Sequence, residues 1–392
     1  MGFNFILLAI YVKITNPKVT KIKIFNPKDD ESFLNTLILF LLLTLLCIFG
    51  LSRQAVSVAL FLTVFYGVFK NLFVSIACYT FLGYLYNVYY LFLSSQIKQP
   101  LLTSFSPYLF FISLICSLSV TLIESVESYA DKRFATLLVL STVYTIFLIY
   151  IPNINIPQLA IAFFISFLLS LFALKAKVAD RTGLISATIV GLIVIVFTNL
   201  KLFVVLLLFY AFGSIFTKYK YDLKLKLNIA EPSGGARGCS NVFGNSLAPL
   251  FFAMNYGVYR SELFLLAFIS SVATALGDTL ASEIGKTSRK VYLITSFKRV
   301  KAGESGGVSA IGEVGALLGV FIIIFGSFLM NLLNNINDAL LVVIASMIAI
   351  HIDSLLGATL ERRGLITNFC VNLLATLSGG LLLIFFHFLV YF

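Results

Sequence analysis

The chain has 392 residues, 60% of them apolar and 11% charged, with a mean hydropathy of +1.02. Soluble domains carry about 25% charged residues, so a water-soluble globular protein is excluded, and at about 20 residues per crossing the length admits about a dozen membrane spans. The net charge of +11 fits the Lys/Arg excess of short cytoplasmic loops, not a nucleic-acid partner.

Residues 1–32 stand apart from the rest. Around Asn16-Pro17-Lys18, β-branched residues flank a turn and Ile22 and Ile24 alternate with Lys21 and Lys23, which predicts a short β-hairpin or an interfacial segment. No basic n-region or small-residue cleavage site marks a secretory signal peptide. Apolar stretches then follow at about 33–51, 54–69, 71–93, 107–123, 134–151, 157–174, 184–198, 199–216, 243–258, 262–281, 308–333, 338–360 and 365–391. The expected fold is an all-α polytopic membrane protein of about 13 transmembrane helices, within a range of about 11 to 14. The expected divisions are 1–32, a helical scaffold over 33–156 and a catalytic-type membrane domain over 157–392. The five cysteines lie far apart, with no C-x-x-C pair, and read as packing residues.

With the N-terminal lysines on the cytoplasmic side, alternation places 24 basic residues inside and leaves Arg53, Lys98, Lys201 and Arg260 outside. That asymmetry predicts a cytoplasmic N-terminus and a C-terminus on the opposite side. Two inside loops, 217–246 and 282–307, are too rich in glycine and charge to be mere connections.

The stretch from 262 ends in Ala275-Leu-Gly-Asp-Thr-Leu-Ala-Ser-Glu-Ile-Gly285, which puts Asp278 in the last apolar turns and Glu283 just beyond. An ionisable residue at membrane depth costs about 2.5–3.5 kcal/mol on insertion scales and is functional by default; a carboxylate snorkelling to the interface is the plainer alternative. The two acids lie roughly 140° apart around a straight helix, so they share a site only if the helix breaks.

Lys286, Arg289, Lys290, Lys298, Arg299 and Lys301 follow, leading into Gly303-Glu-Ser-Gly-Gly-Val-Ser309. Glycines let backbone N–H groups approach an anion, and delivery to a helix N-terminus makes a phosphate cradle. Ser305 and Ser309 bracket Gly306 and Gly307, and Lys286, Lys298 and Lys301 are the candidate phosphate-neutralising cations. Topological charge around a glycine turn is the alternative. Further on, Glu313, Asp353, Asn368 and Asn372 fall at the same expected depth as Asp278. Asp278, Asp353 and Glu313 are the candidate Mg²⁺ ligands, since magnesium takes one or two carboxylates plus phosphate oxygens. The earlier loop, Gly234-Gly-Ala-Arg-Gly238 followed by Asn241 and Asn245, is either a second anion site, with Arg237 as a bidentate ligand for a lipid phosphate and Asn245 beside it, or a hinge. No Walker G-x-x-x-x-G-K-[ST] or H-E-x-x-H occurs, which excludes a P-loop kinase and argues against zinc proteases.

Gly277-Asp-Thr-Leu-Ala-Ser-Glu-Ile-Gly285, Gly303-Glu-Ser-Gly-Gly-Val-Ser309, Asp353-Ser-Leu-Leu-Gly-Ala-Thr359 and Thr367-Asn-Phe-Cys-Val-Asn372 together resemble the integral-membrane family that includes the plant phytyl-phosphate kinase of vitamin E salvage, over about 160–392. More distantly, the Gly-Asp-x-x-Ala-x-x-x-Gly-Lys of 277–286 and the Lys-x-Gly-x-Ser of 301–305 look like CTP-dependent dolichol and phytol kinases. The resemblance implies phosphorylation of an isoprenyl monophosphate by a nucleoside triphosphate, with CTP favoured. It implies metal and nucleotide contacts for Asp278 and Glu283, phosphate contacts for Lys286, Ser305, Gly306 and Gly307, and places for Asp353, Asn368 and Asn372 in the same site. The chain departs from that family's Gly-Gly-x-Arg-Asn and Gln-Val-x-x-Asn, reading Gly-Gly-Ala-Arg-Gly238 and Asn-Val-Phe-Gly-Asn245. In the first half, Thr121-Leu-Ile-Glu124 with Asp131-Lys132 is faintly similar to a phytol-kinase pair, but a scaffold is the expected role.

The reading is therefore a membrane-embedded isoprenyl-phosphate kinase with Mg²⁺ as cofactor and a triphosphate as co-substrate. A transporter or flippase of a phosphorylated lipid or small anion and a lipid-phosphate cytidylyltransferase are the rival readings.

Overall fold

The computed structural model describes residues 30–94, 106–126, 131–152, 154–231 and 233–391, so the expected N-terminal hairpin lies outside the described residues apart from its last positions. Those open the first helix, α1 (Asp30–Leu46). All thirteen apolar stretches are helical. Among the described residues nine helices are long and apolar enough to cross a membrane, and 37–49, 53–64 and 181–197 are shorter apolar helices. The stretch expected at 243–258 is part of a 21-residue helix with Pro249 inside it, outside both groups. Contacts divide the chain into Met1–Leu159 and Ala160–Phe392, close to the expected boundary.

The first unit holds α1, α2 (Arg53–Val64), α3 (Leu72–Leu93), α4 (Pro107–Ser125), α5 (Lys132–Ile149) and the start of α6 (Ile156–Lys175). The helices start where a side chain can satisfy an otherwise unpaired backbone N–H: Ser52 accepts from Ala55, Asn71 from Phe73 and Val74, and Asp131 from Arg133 and Phe134. A set of polar side chains inside this unit is paired, as a bilayer demands. Gln54 donates to Asn87 (3.1 Å) and to the Tyr144 hydroxyl (2.8 Å), Tyr144 donates to Asn87, and Asn87 donates to Ser113 (3.2 Å). Glu124 accepts from the Tyr79 hydroxyl (2.6 Å) and the Gly67 N–H (2.8 Å), so it holds the α2–α3 turn.

The second unit contains the rest of α6, then α7 (Arg181–Phe197), α8 (Leu200–Lys218), the short α9 (Tyr221–Lys226), α10 (Cys239–Tyr259), α11 (Glu262–Gly285), α12 (Ala310–Leu329), α13 (Ile336–Leu356) and α14 (Asn368–Tyr391). Helix α11 is the hub, packed by α8, α10, α12, α13 and α14. Glycines set its approach to α12: a Cβ on Gly319 would lie 2.8 Å from the N and Cα of Gly277, and one on Gly315 would lie 2.8 Å from the Leu280 carbonyl oxygen. Small residues of this kind let membrane helices pack backbone to backbone. Hydroxyls tie α11 to its other neighbours, Ser270 donating to the Gly379 carbonyl (2.9 Å), Ser271 to that of Thr376 (2.7 Å) and Ser346 to that of Ser270 (3.1 Å).

The loop between α11 and α12 is more ordered than its glycines suggest. It folds into a small antiparallel sheet of β1 (Val291–Leu293), β2 (Arg299–Val300) and β3 (Gly307–Val308), in the order β2-β1-β3, with Tyr292 opposite both Arg299 and Val308.

Candidate functional site

Asp278 occupies the penultimate turn of α11 and Asp353 the last turn of α13, and the two carboxyls face each other closely enough to interact directly. The Asp353 Oδ1 is buried without a hydrogen-bond partner. Beyond Asp353, α13 passes into one π-helical turn, Gly357–Glu361; such turns are frequent at functional sites. Glu361, a residue the sequence reading passed over, acts electrostatically on both aspartates.

The glycine loop packs onto this turn. A Cβ on Gly306 (φ +76°) would lie 2.4 Å from that of Ala358, and one on Gly357 would lie 3.0 Å from the Gly306 nitrogen. Arg362 and Glu304 clamp the same contact at 3.2 Å. Strand β3 hands Gly307 to Ser309, whose hydroxyl caps α12 by accepting from the Gly312 N–H (3.1 Å). Gly306 thus lies against the π turn that follows Asp353, whereas Ser309 is occupied as a helix cap.

Asp278 and Glu283 point to different sides of α11, which does not break between them, and the link between them is Lys286. Its ammonium bonds Glu283 Oε1 (2.8 Å) and Glu231 Oε1 (2.9 Å) and also lies within electrostatic reach of Asp278. Burial works against the Lys286 charge, but Glu283 and then Glu231 outweigh it and hold the pKa above the ordinary lysine value. The other oxygen of Glu283 takes the fully buried Lys224, which also donates to the carbonyls of Phe216 and Thr217 (3.2 Å each). Lys224 and Glu231 gave no signal in the sequence beyond membership of a charged loop.

The first glycine loop is tied by Arg237 to the start of α7. Arg237 donates its N–H to the Val178 carbonyl (2.9 Å) and accepts from the Asp180 N–H (3.1 Å), while Asp180 caps α7. The Arg237 guanidinium lies 4.9 Å over the Phe209 ring and against Gly213, where a Cβ would come within 2.3 Å of Nη2. Its Nη1 is buried and unpartnered, as is the Asn245 Oδ1, and burial draws the guanidinium pKa down against the raising effect of Tyr210, Glu283 and Glu231.

Other expected residues stand apart. Lys298 and Lys301 are exposed on the sheet loop. Glu313 faces His351 (3.7 Å), and among the described residues no three His, Cys, Asp or Glu side chains gather closely enough to hold a metal ion by themselves. Asn372 donates to Asn368 (3.3 Å) at the exposed start of α14.

The family model for the integral membrane protein family DUF92 matches residues 164–380. The chain belongs to that family. It is 32% identical to an uncharacterized membrane protein of Methanocaldococcus jannaschii over 57% of this chain and 92% of that one. It is 34% identical to the chloroplastic protein VTE6 of Arabidopsis thaliana over 41% of this chain and 50% of that one, and 30% identical to protein PGR of the same plant over 53% and 80%. No solved structure matches. The match encloses every site residue described above and leaves the first unit outside it. The protein is an integral membrane protein of this family.

Proposed function

We propose that the protein is a membrane-embedded isoprenyl-phosphate kinase that moves the γ-phosphoryl group of a nucleoside triphosphate, CTP favoured, onto a phytyl-, geranylgeranyl- or other polyprenyl-type monophosphate. The observation that carries this reading is the Asp278–Asp353 pair beside the Gly306 turn, with a buried Asp353 oxygen that no protein group satisfies. Two carboxylates and no third suit Mg²⁺, which completes its shell with phosphate oxygens and water; Asp278 and Asp353 would hold it, and when bound it neutralises charge on the triphosphate.

The remaining chemistry falls to the chain. In the transfer, an oxygen of the acceptor monophosphate attacks the γ-phosphorus and the bond to the β-phosphate oxygen breaks, giving the isoprenyl diphosphate and the nucleoside diphosphate. Such a step needs alignment and charge neutralisation more than covalent help. Lys286, bonded to Glu283 and Glu231 and within electrostatic reach of Asp278, would face the β- and γ-phosphates. Arg237, with its open Nη1, and Asn245 would receive the acceptor phosphate. An acceptor left in the bilayer avoids the cost of exposing its chain, about 0.8 kcal/mol per CH₂.

The test is incubation of purified protein with γ-labelled CTP or ATP, Mg²⁺ and geranylgeranyl phosphate. Label in the diphosphate with release of CDP or ADP is expected, lost in Asp278→Asn. Release of pyrophosphate would instead identify a cytidylyltransferase, and no transfer from any triphosphate, with Asp278→Asn indistinguishable from the parent, would overturn the kinase reading.

A further inference from the structure

The outward face of the β1–β2 hairpin has no role in the site above. Its tip carries Phe297, 79% exposed and held at φ +53°, a left-handed conformation that is a genuine outlier for a bulky side chain. The Phe297 N–H donates to the Leu293 carbonyl (2.8 Å), so the turn is closed and the ring is presented, not packed. Tyr292 and Arg299 are register partners and both exposed, while Val291 and Leu293 are buried on the opposite face. Arg289, Lys290 and Lys298 complete the exposed set, and no carboxylate occurs between Glu283 and Glu304. None of these four cations forms an ion pair with a carboxylate among the described residues; Arg299 donates to the Arg289 carbonyl (2.9 Å).

The location decides the partner. The sheet joins the end of one spanning helix, Gly285, to the start of the next, Ala310, so both its attachments lie at one membrane surface. The tip is the turn closed by the Phe297–Leu293 hydrogen bond, in a loop over 286–309 that is tethered at both ends to that surface. Loop charge alone follows from topology; an exposed aromatic ring held at its centre does not. We infer that the hairpin is a membrane-surface anchor whose Phe297 enters the headgroup region of an anionic leaflet while Arg289, Lys290, Lys298 and Arg299 pair with lipid phosphates. Because β1 also pairs with β3, this contact fixes the strand that delivers Gly306 and Gly307.

The chain contains no tryptophan, so Phe297→Trp in the full-length protein is a single reporter. It is reconstituted in proteoliposomes of phosphatidylcholine alone or with phosphatidylglycerol, together with lipids brominated near the glycerol. The expected result is a blue-shifted emission quenched several-fold more in the anionic vesicles, with the difference abolished by high salt and by changing the four cations to Gln. Tyr292→Trp, on the same outward face, is a second reporter should the tip variant misassemble, and the same pattern is expected. Water-like emission, open to acrylamide and unquenched by brominated lipid in either vesicle for both reporters, would overturn the inference. So would quenching that ignores lipid charge. None of these readings depends on kinase activity.

Discussion

Gly306 and Ala358 touch across the site: with φ +76° and a Cβ-to-Cβ distance of 2.4 Å for any side chain placed there, the loop can lie on the π turn only because residue 306 is glycine. Gly306→Ala therefore lifts the loop. A misplacement of about 1 Å costs on the order of 10²-fold in rate, so phosphoryl transfer should fall at least 10-fold, on the order of that figure, while thermal unfolding of the solubilised protein moves by only a few degrees. Steady-state rates and unfolding curves of the same preparation check this.

Asp278 and Asp353 hold two carboxyls against each other within the spanning helices, an arrangement that opposes stability and that the proposed phosphate site would account for. Asp278→Asn and Asp353→Asn should each abolish transfer yet leave the melting temperature unchanged or raised. A fall in melting temperature for both variants would point to a structural pair.

Among the described residues Glu283 is the only carboxylate bonded to the fully buried Lys224. Removing one partner of a buried pair leaves an uncompensated charge and costs about 3–5 kcal/mol. Glu283→Gln should therefore destabilise strongly, whereas Lys224→Met should cost much less, since Glu283 keeps Lys286. Comparative thermal unfolding in one detergent separates the two.

Lys286 has a folded pKa above its ordinary value of about 10.4. The stability it contributes is fully present below the unfolded value and is lost only as pH rises through the folded one. Lys286→Met should lower the melting temperature equally at about pH 7 and about pH 9, with the gap to the parent closing only above about pH 10.4.

Gly319 packs on the Gly277 backbone at 2.8 Å for an added Cβ. Gly319→Ala must push α12 off α11 and should cost about 1–3 kcal/mol, as overpacking does, lowering transfer as well because Asp278 follows Gly277.

Hydropathy is a local property of the chain, and it sufficed for the membrane class and for the positions of the thirteen helical stretches. In a chain 11% charged, Asp278 and Asp353 stood out without any structure. Contacts were another matter, because they depend on how helices turn against one another. Helical periodicity correctly separated Asp278 from Glu283, yet nothing in it showed that Lys286 would bridge their surroundings, that Lys224 would be buried on Glu283, or that Glu231 would reach across 55 residues to Lys286. Glu313 shares the expected depth of the aspartates but faces His351, and Ser309 caps a helix. Depth follows from the hydrophobic period along one helix; which side chains meet at that depth is settled by glycine seams such as Gly277–Gly319, which fix how closely and in which rotation two helices pack.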